Sequence, residues 1–534
     1  MNRQYTVLCK SVLLLITLLS MTSLKVGAQN RYVVFFSDKN ATPYRIDNPT
    51  EYLSARAISR RQKQGIAITS QDLPVNPAYV DGVRSLGAET FFTTKWMNGV
   101  LIQAQESLIN SIESLTYVDS VVFVAPGSKL TSNGRKGEIE ELAEELAETD
   151  TQVKMLGVDA LHDKGYKGEG IIMAIFDGGF TGVNTVDAFK HIYDGNRLIY
   201  AKNLVNNNNN VYQYSNHGTK VLSAIAGLVS SQFEGTAYNA DISLFITEDG
   251  ATEYRIEEYN WLMAAEMADS LGVDIINGSL GYYDFDDVSM NYTYKDMDGK
   301  TTIVSQAAKL ASDRGMLVVV SAGNEGNKAW KYITAPADAE NILSVGSVTS
   351  KGLISDFSSI GPSADGRIKP EVMAMGSSTV LVNEAGIVSN SSGTSFATPL
   401  LAGFAACMWQ AYPDLTNLEL IDFILQNSTL YANPNNRYGY GIPNYKFIIS
   451  NISEDNNTGT SAYPNPLFGD ELNITTASRG EVRVKLYSPQ GKLLFENSMD
   501  REHLTYDTSN LKAGVYILTV EANKETSKFR IIKY

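Results

Sequence analysis

Cysteine and histidine are both scarce in this chain of 534 residues, with two and four copies respectively. Cys9 lies in an N-terminal segment that we expect to be removed, so the mature chain keeps only Cys407 and cannot form an internal disulfide. Cys407 falls in a predicted apolar helix, where we expect it to pack as a small apolar side chain. The candidates for a general base are limited to His162, His191, His217 and His503.

Positive charge is also scarce, because 44 Lys and Arg stand against 59 Asp and Glu, giving a formal net charge of −15. No cluster of Lys and Arg is present that could neutralise a run of phosphates, so the composition favours solubility and argues against nucleic-acid binding. No apolar run reaches the roughly 20 residues that span a bilayer, so we expect no transmembrane helix. The length alone favours about three folded units.

An apolar stretch close to the N-terminus, at residues 12–19, follows Arg3 and Lys10. Small residues then stand at 26–28, ahead of Gln29. A basic start, a short apolar core and a small-residue cleavage site are typical of a secretory signal peptide. We therefore predict that residues 1–28 are a signal peptide and that the chain is exported.

The most informative motif is the run GTSFATP at residues 393–399, which surrounds Ser395 with small residues. An apolar helix is predicted at 396–412, and Pro399 favours a helix start close to Ser395, because proline is tolerated in a first turn but not in an interior. The free N–H groups and positive dipole end of a helix N-terminus stabilise negative charge beside such a serine. The motif predicts a nucleophilic serine, with a Ser/Thr cap on a buried helix as the alternative.

A serine nucleophile needs a base, and His217 is the best placed histidine. It stands in the run NHGT at 216–219, and apolar residues follow at helical spacing, so we expect it to open a helix at the edge of a cleft. Asp177 directly follows the apolar stretch 171–176, which is typical of a buried parallel strand. Open α/β sheets bind ligands at the carboxyl ends of such strands, and a carboxylate there can orient an imidazole. Each motif is weak alone, but together they complete the set that Ser395 requires.

In this chain order, Asp177, His217 and Ser395 resemble the catalytic triad of the subtilisin-like serine peptidases. Residues 318–326 (VVVSAGNEG) resemble that family's oxyanion segment, with Asn324 as the side-chain donor. The resemblance implies an α/β fold in which a mostly parallel sheet carries helices on both faces. It also implies a secreted serine endopeptidase, in which Ser395 attacks a peptide carbonyl, His217 transfers the proton and Asp177 holds the imidazole.

The resemblance extends over residues 152–449, so we place the catalytic domain at 151–450. The run formed by Ser279, Leu280 and Gly281 resembles the segment that pairs with an extended substrate. Protein or peptide substrates are expected to bind there as an added strand. Main-chain pairing does not read sequence, so a broad range of cleavage sites is implied.

The loop at 325–336 is expected to wall the first pocket for a substrate side chain. Its Lys328, Trp330 and Lys331 are compatible with a restricted or acid-tolerant pocket. A solvated loop is the commoner interpretation of such a composition, and the sequence names no preferred residue.

The implied chemistry requires no cofactor, although many members of the family bind structural calcium. The run DMDG at 296–299 suggests a calcium loop, but no glutamate follows at the spacing that such a loop needs. The sequence therefore leaves the metal unassigned.

Two positions depart from the family pattern: Gly178 stands where Ser or Thr is usual, and Met375 where proline is usual. Neither change removes a catalytic group, so we expect activity to survive. The alternative is a catalytically weak or inactive surface binding protein on the same fold, for which Gly178 is the only support. A carboxyl-serine peptidase of acid habitat is disfavoured by His217, and activity rising through pH about 6–7 would fit a histidine base.

Residues 29–128 have their own predicted β-α-β-β-α-β pattern, which resembles the prodomain that inhibits and chaperones subtilisin-like proteases. The clearest predicted elements are strands at 32–36, 97–102 and 121–124 and helices at 77–86 and 107–115. A slow-folding parallel sheet gains from such a template. We place a connector at 129–150 and expect severance near Arg135 or Lys136, with an unrelated α+β domain as the alternative.

A polar linker at 451–462 leads to a predicted small β-sandwich at 463–534, with alternating or apolar strands at 482–487, 514–520 and 528–533. The run YPNP at its start, the run AGVY and the short basic ending resemble the C-terminal sorting domain of type IX secretion in the Bacteroidetes. This resemblance implies the type IX machinery as a partner and a product that is secreted or attached to the outer surface. A carbohydrate-binding or Ig-like module is the alternative, although no aromatic platform stands out.

Overall fold

The computed structural model describes residues 29–127 and 149–449, and residues 460–533 apart from short gaps at 464–466, 468–469, 477–481, 489–490, 500–502, 513 and 523–524. The predicted signal peptide at 1–28, the predicted severance at Arg135 or Lys136 and most of the predicted linker lie outside the described residues. Within the described ranges, no helix combines the length and apolar character needed to cross a membrane.

The N-terminal domain is a four-stranded antiparallel sheet, in the order β2-β3-β1-β4, with helices packed on it. Its elements are β1 Gln29–Phe36, α1 Ala55–Lys63, α2 Pro77–Ser85, β2 Glu89–Thr94, β3 Gly99–Gln105, α3 Ile109–Glu113 and β4 Val118–Ala125. The predicted β-α-β-β-α-β order is present in β1, α2, β2, β3, α3 and β4. Helix α1 was not predicted, because its sequence ARAISRRQK is rich in basic residues and Ile58 is its only large apolar side chain.

The central domain is built on a seven-stranded parallel sheet, in the order β13-β12-β11-β10-β5-β9-β6. Its elements are α4 Thr149–Leu156, α5 Val158–Asp163, β5 Ile172–Asp177, α6 Lys190–Asp194, β6 Leu198–Asn203, α7 His217–Ala226, β7 Leu228–Val229, β8 Phe233–Glu234, β9 Asp241–Ile246, α8 Ile256–Leu271, β10 Ile275–Gly278, α9 Ile303–Asp313, β11 Leu317–Ser321, β12 Leu343–Val348, β13 Val372–Met375, β14 Thr379–Val382, β15 Val388–Ser391, α10 Thr394–Ala411, α11 Asn417–Gln426 and α12 Tyr445–Ile449. The predicted α/β class is confirmed. The near-continuous burial of β5 and β9 to β13 is what a parallel sheet covered on both faces requires.

Strand β5 lies between β9 and β10 at the point where the chain reverses its direction of travel across the sheet. The chain passes from β5 to β6 and β9 on one side, then crosses to β10 on the other. Ligands of open α/β sheets bind outside the carboxyl ends of the strands at such a switch point. Asp177 is the last residue of β5 and lies there.

The two faces of the central sheet have separate cores. Alternate residues of β5, such as Ile175, pack with α7 and α10 on one face, whereas Phe176 packs with α8 and α9 on the other. The second core also includes Val33 and Trp96 of the N-terminal domain. The N-terminal domain is therefore packed against the helices of the central domain through a shared apolar core.

The C-terminal domain consists of two antiparallel sheets, in the orders β16-β17-β20 and β19-β18-β21-β22. Its strands are β16 Thr460–Tyr463, β17 Glu471–Thr476, β18 Val482–Tyr487, β19 Leu493–Met499, β20 His503–Asp507, β21 Gly514–Ala522 and β22 Glu525–Lys533. Inward residues of both sheets, including Leu472, Val484 and Leu518, form a separate core. This is the predicted small sandwich.

Candidate active site

Asp177 and His217 are in direct contact at the carboxyl end of the sheet. The Nδ1 atom of His217 lies 2.9 Å from Oδ2 and 3.0 Å from Oδ1 of Asp177. The carboxylate is 2% exposed, and its Oδ1 also accepts the N–H of Gly178 at 2.8 Å. A carboxylate in this position requires the proton on Nδ1, which leaves Nε2 as the basic nitrogen.

His217 is the first residue of α7 and is fixed from several sides. Its backbone N–H donates to Ser215 Oγ at 3.0 Å, and its ring packs against Phe396 with the ring centroids 5.5 Å apart. Asn216 in turn donates from Nδ2 to Glu384 at 2.9 Å. These contacts hold the imidazole, which is 24% exposed, at the rim of the cavity.

Ser395 is the second residue of α10, and its Oγ donates to the backbone oxygen of Ser279 at 3.2 Å. The helix begins two residues before its predicted start at 396, so Pro399 lies beyond the first turn. Because Pro399 has no N–H, the carbonyl of Ser395 lacks its usual helical donor. Ser279 Oγ donates to that carbonyl instead, at 2.9 Å. The proline and the substrate-side serine therefore fix the start of the helix together.

Asn324 follows β11 and lies against the start of α10. Its Oδ1 accepts both the backbone N–H and the hydroxyl of Thr394, each at 2.9 Å. The amide nitrogen is directed away from Thr394, and a Cβ placed on Gly393 would be 3.7 Å from it. The first N–H groups of α10 have no acceptor within the helix. Asn324 Nδ2 and the N–H of Ser395 therefore form a pair of donors suited to an oxyanion.

One cavity of about 740 Å³ is lined by all of these groups, namely Asp177, His217, Ser279, Leu280, Gly281, Asn324 and Ser395. The structure thus brings together every residue that the sequence assigned to the triad, the oxyanion donor and the substrate segment. The remaining histidines lie elsewhere: His162 and His191 contact backbone carbonyls, and His503 lies in the C-terminal domain.

The loop at 325–336 closes one end of this cavity. Glu325 accepts from Tyr283 and from Lys328, both at 3.0 Å, and Tyr283 stacks on Trp330 with the ring centroids 4.5 Å apart. The Lys328 side chain is 60% exposed, so it neutralises Glu325 from the solvent side. The aromatic pair was not predicted, because Tyr283 and Trp330 belong to different loops.

A group of acidic residues also lines the cavity. Carboxylate oxygens of Glu248, Glu253 and Glu257 lie within 4.8 Å of one another, and Glu248 and Glu253 face the cavity. Such oxygen ligands suit a hard cation, but carboxylates also meet without one. The run at 296–299, where the sequence left calcium unassigned, forms a turn in which Asp298 accepts the N–H groups of Lys300 and Thr301 at 2.8 Å.

Cys407 lies in α10 on the buried side of the helix that carries Ser395. It is fully buried, its Sγ donates to the carbonyl of Thr236 at 3.1 Å, and burial raises the pKa of its thiol. A protonated, enclosed thiol has a structural role and not a nucleophilic one.

Residues 168–441, just over half of the chain, match the model of the Subtilase family. Residues 31–139 match the Peptidase S8 propeptide domain of Bacteroidota, and residues 461–534 match the secretion system C-terminal sorting domain.

Known proteins similar to the chain are subtilisins and related proteases. Subtilisin NAT of Bacillus subtilis subsp. natto is 29% identical over 296 residues, covering 55% of this chain and 69% of that protein. Subtilisin of Bacillus pumilus is 29% identical over 295 residues, covering 55% of this chain and 95% of that protein. Serine protease AprX of Bacillus subtilis is 26% identical over 343 residues, covering 59% and 74%.

Proposed function

The chain belongs to the subtilase family and is a serine endopeptidase of the subtilisin type, and from this we propose that Asp177, His217 and Ser395 are its catalytic triad. One observation carries the proposal. The His217 imidazole, held by Asp177 at 2.9 Å, lines the same cavity as the Ser395 hydroxyl and the Asn324 amide. This constellation supplies a nucleophile, a base with a fixed tautomer and oxyanion donors.

In the proposed reaction, Ser395 Oγ turns from the carbonyl of Ser279 towards His217 Nε2 and gives up its proton as it attacks the peptide carbonyl carbon. The carbonyl oxygen becomes an oxyanion and accepts from Asn324 Nδ2 and the Ser395 N–H. The imidazolium next to Asp177 protonates the leaving amine, and an acyl-enzyme remains. Water, deprotonated by His217, then releases the carboxylic acid product and restores Ser395.

Protein and peptide substrates are proposed to bind as an extended strand along Ser279, Leu280 and Gly281. These residues follow β10, extend beyond the part of it that pairs with β11, and line the cavity. The chemistry needs no cofactor, because every proton transfer and the oxyanion contacts are supplied by this chain.

The N-terminal domain is proposed to be a prodomain that folds with the protease and is then severed in the connector at 129–150. Support comes from its match to a propeptide model, from the shared core and from buried ion pairs, among them Arg60 to Asp269 at 2.7 Å. On this proposal the units are the prodomain at 29–128, the catalytic domain at 151–450, the linker at 451–462 and the sorting domain at 463–534.

The C-terminal sorting domain implies export, with a product that is secreted or held at the outer surface. We propose that the type IX secretion machinery recognises this domain and carries the chain from the periplasm across the outer membrane. The test is deletion of residues 463–534, which should leave the protein in the periplasm of a type IX-competent host.

The triad assignment is tested by labelling with a fluorophosphonate probe, which reacts only with an activated serine. Wild type should be labelled, with the adduct on Ser395 by peptide mass spectrometry. His217→Ala should fold but remain unlabelled, because the proton acceptor is missing. Absence of labelling in purified, severed wild type would instead favour the inactive surface binding protein as the function.

A further inference from the structure

Two chain segments diverge beside Ser395 and leave a gap between them. Strands β10 and β11 are paired up to Gly278 and Val320, and their continuations run to Gly281 and Gly323 on the two sides of the cavity. Ser321 Oγ donates to the carbonyl of Leu280 at 3.1 Å and ties the two segments together.

Thr334 occupies the bottom of this gap. A Cβ placed on Gly281 would lie 2.2 Å from Thr334 Oγ1, and a Cβ placed on Gly323 would lie 2.9 Å from the same atom. Glycine at 281 therefore leaves room for the Thr334 side chain. Glycine at 323 leaves room for both Thr334 and Ser359, whose Oγ would lie 2.8 Å from a Cβ there, and it allows the backbone φ of +107°.

The position of Thr334 is rigid. Its N–H donates to the carbonyl of Ala322 at 3.2 Å, and the next residue, Ala335, exchanges two backbone hydrogen bonds with Tyr282, at 2.8 and 3.1 Å. Thr334 is 3% exposed, and within the described part of the chain its hydroxyl has no hydrogen-bond partner. The residue is thus held from both walls, and its hydroxyl is not what fixes it there.

A substrate side chain is directed into this gap by the geometry of attack. When the peptide carbonyl oxygen meets Asn324 and the peptide backbone lies along Ser279 to Gly281, the side chain just before the scissile bond enters between the two segments. It then meets Thr334, and Tyr283, which stacks on Trp330, lines the same cavity. The carboxylate of Glu325 is paired with Lys328, so it does not present an uncompensated charge to this side chain.

We propose that Thr334 limits the depth of this pocket, so that the protease cleaves after small uncharged residues such as alanine and serine. The inference rests on the proposed catalytic function and specifies its substrate class. Large aromatic or leucine side chains would have to displace a residue that is anchored to both walls, and close-packed sites resist such displacement.

The test uses purified, severed enzyme and internally quenched peptides that differ only in the residue before the scissile bond, which is Ala, Ser, Leu or Phe. Wild type should hydrolyse the Ala peptide with kcat/KM at least about tenfold above that for Phe, since pocket-size discrimination is worth about 10–200-fold. Thr334→Gly should reduce this ratio by about tenfold or more by deepening the pocket. Thr334→Val, which keeps the volume and removes only the hydroxyl, should leave the ratio unchanged.

Equal or faster cleavage of the Phe peptide by wild type would overturn the proposal without any variant, so it remains testable if Thr334→Gly does not fold. An unchanged ratio in folded Thr334→Gly would overturn it as well. Failure of the proposed catalytic function looks different, because then no peptide of the set is cleaved and no fluorophosphonate adduct forms on Ser395.

Discussion

Backbone polar groups face an open cavity at the carboxyl end of the central sheet, whereas at its amino end they are covered by side chains of the N-terminal domain. At the carboxyl end, the segments after β5, β10 and β11 leave carbonyls, N–H groups and hydroxyls around an open cavity that includes His217 and Ser395. At the amino end, the carbonyls ahead of the same strands are covered by arginines of α1, with Arg60 only 4% exposed. The same three strands thus serve reaction at one end and attachment of the N-terminal domain at the other.

Because the two sets of contacts lie at opposite ends of the sheet, we expect that catalysis and attachment of the N-terminal domain can be changed separately. Removing a donor in the cavity should alter turnover without loosening the N-terminal domain. Removing a charge at the amino end should loosen the domain without altering the geometry around Ser395.

Asp269 is the centre of the amino-end charge network and has no exposed surface. Arg60, Arg61 and Lys95 contact its carboxylate at 2.7 to 3.1 Å. Asp269→Ala leaves three buried cations without this partner, so the free energy of unfolding of the full-length Ser395→Ala chain should fall by about 3–5 kcal/mol. Denaturant unfolding measures the change.

The matched control is Asp81→Ala, which removes an exposed partner of Arg84 in the same domain and should cost about 0–1 kcal/mol. Equal effects of the two substitutions would contradict the view that the amino end is a buried attachment site.

Asn324 is the corresponding residue at the carboxyl end. Asn324→Ala should lower kcat by about 10²–10³, or about 3–4 kcal/mol, as observed for the oxyanion asparagine of subtilisin, and should leave KM nearly unchanged. Steady-state kinetics on a quenched peptide, after removal of the N-terminal domain, is the measurement.

Thr394→Val is a milder test of the same residue, because it removes one of the two hydrogen bonds that orient the Asn324 amide. A smaller loss of kcat is expected than for Asn324→Ala. If Asn324→Ala kept full kcat, the cavity would not stabilise an oxyanion through this residue.

Glu258 lies in the first turn of α8 and is fully buried. Burial raises its pKa to about 7, although the hydroxyl of Tyr292 at 2.8 Å and the N–H of Val304 at 3.2 Å partly oppose the shift. The folded chain therefore holds a proton that the unfolded chain has released between pH about 4.5 and about 7. Its contribution to the free energy of unfolding falls as pH rises through this window, by at most about 1.4 kcal/mol per pH unit.

The measurement is the denaturant midpoint of the Ser395→Ala chain from pH 5 to pH 8, compared with that of the same chain carrying Glu258→Gln. The substituted chain should show a flatter profile over this range. Identical pH profiles would mean that Glu258 ionises in the folded protein without cost.

Gly178 is the departure from the family pattern nearest to the triad, and its replacement should have the smallest effect. A Cβ there would lie 3.7 Å from the Cβ atoms of both Glu248 and Ser215, which is ordinary contact. The Asp177 carboxylate already receives the Gly178 N–H. Gly178→Ser should therefore change kcat/KM by less than about threefold, within the range of substitutions that disturb no packing. A tenfold gain would show that the glycine weakens the triad.

Much of the fold and of the candidate site could be predicted because local patterns carry them. The burial of β5 appears in the sequence as a continuous apolar run. Asp177, His217 and Ser395 each lie at or next to the end of a helix or strand, and the residues around them indicate where that element begins or ends. The order of the three in the chain then identified the family.

What could not be predicted depends on contacts between segments distant in sequence. Helix α1 has a basic sequence, and the partners of its arginines include the carbonyls of Gly272 and Arg314, which are more than 200 residues away in the chain. Thr334 looks like any loop threonine until Gly281 and Gly323 are placed around it. Packing between distant loops and the depth of a pocket produce no periodic pattern in the sequence.

The most direct test follows wild type and Ser395→Ala through expression and purification, with intact-mass spectrometry and casein hydrolysis as readouts. Wild type should lose its N-terminal domain by cleavage between residues 127 and 149, outside the described segments, and should hydrolyse casein. Ser395→Ala should keep the N-terminal domain bound and intact and should be inert. Equal severance and equal casein hydrolysis in the two proteins would contradict the assignment of Ser395 as the nucleophile.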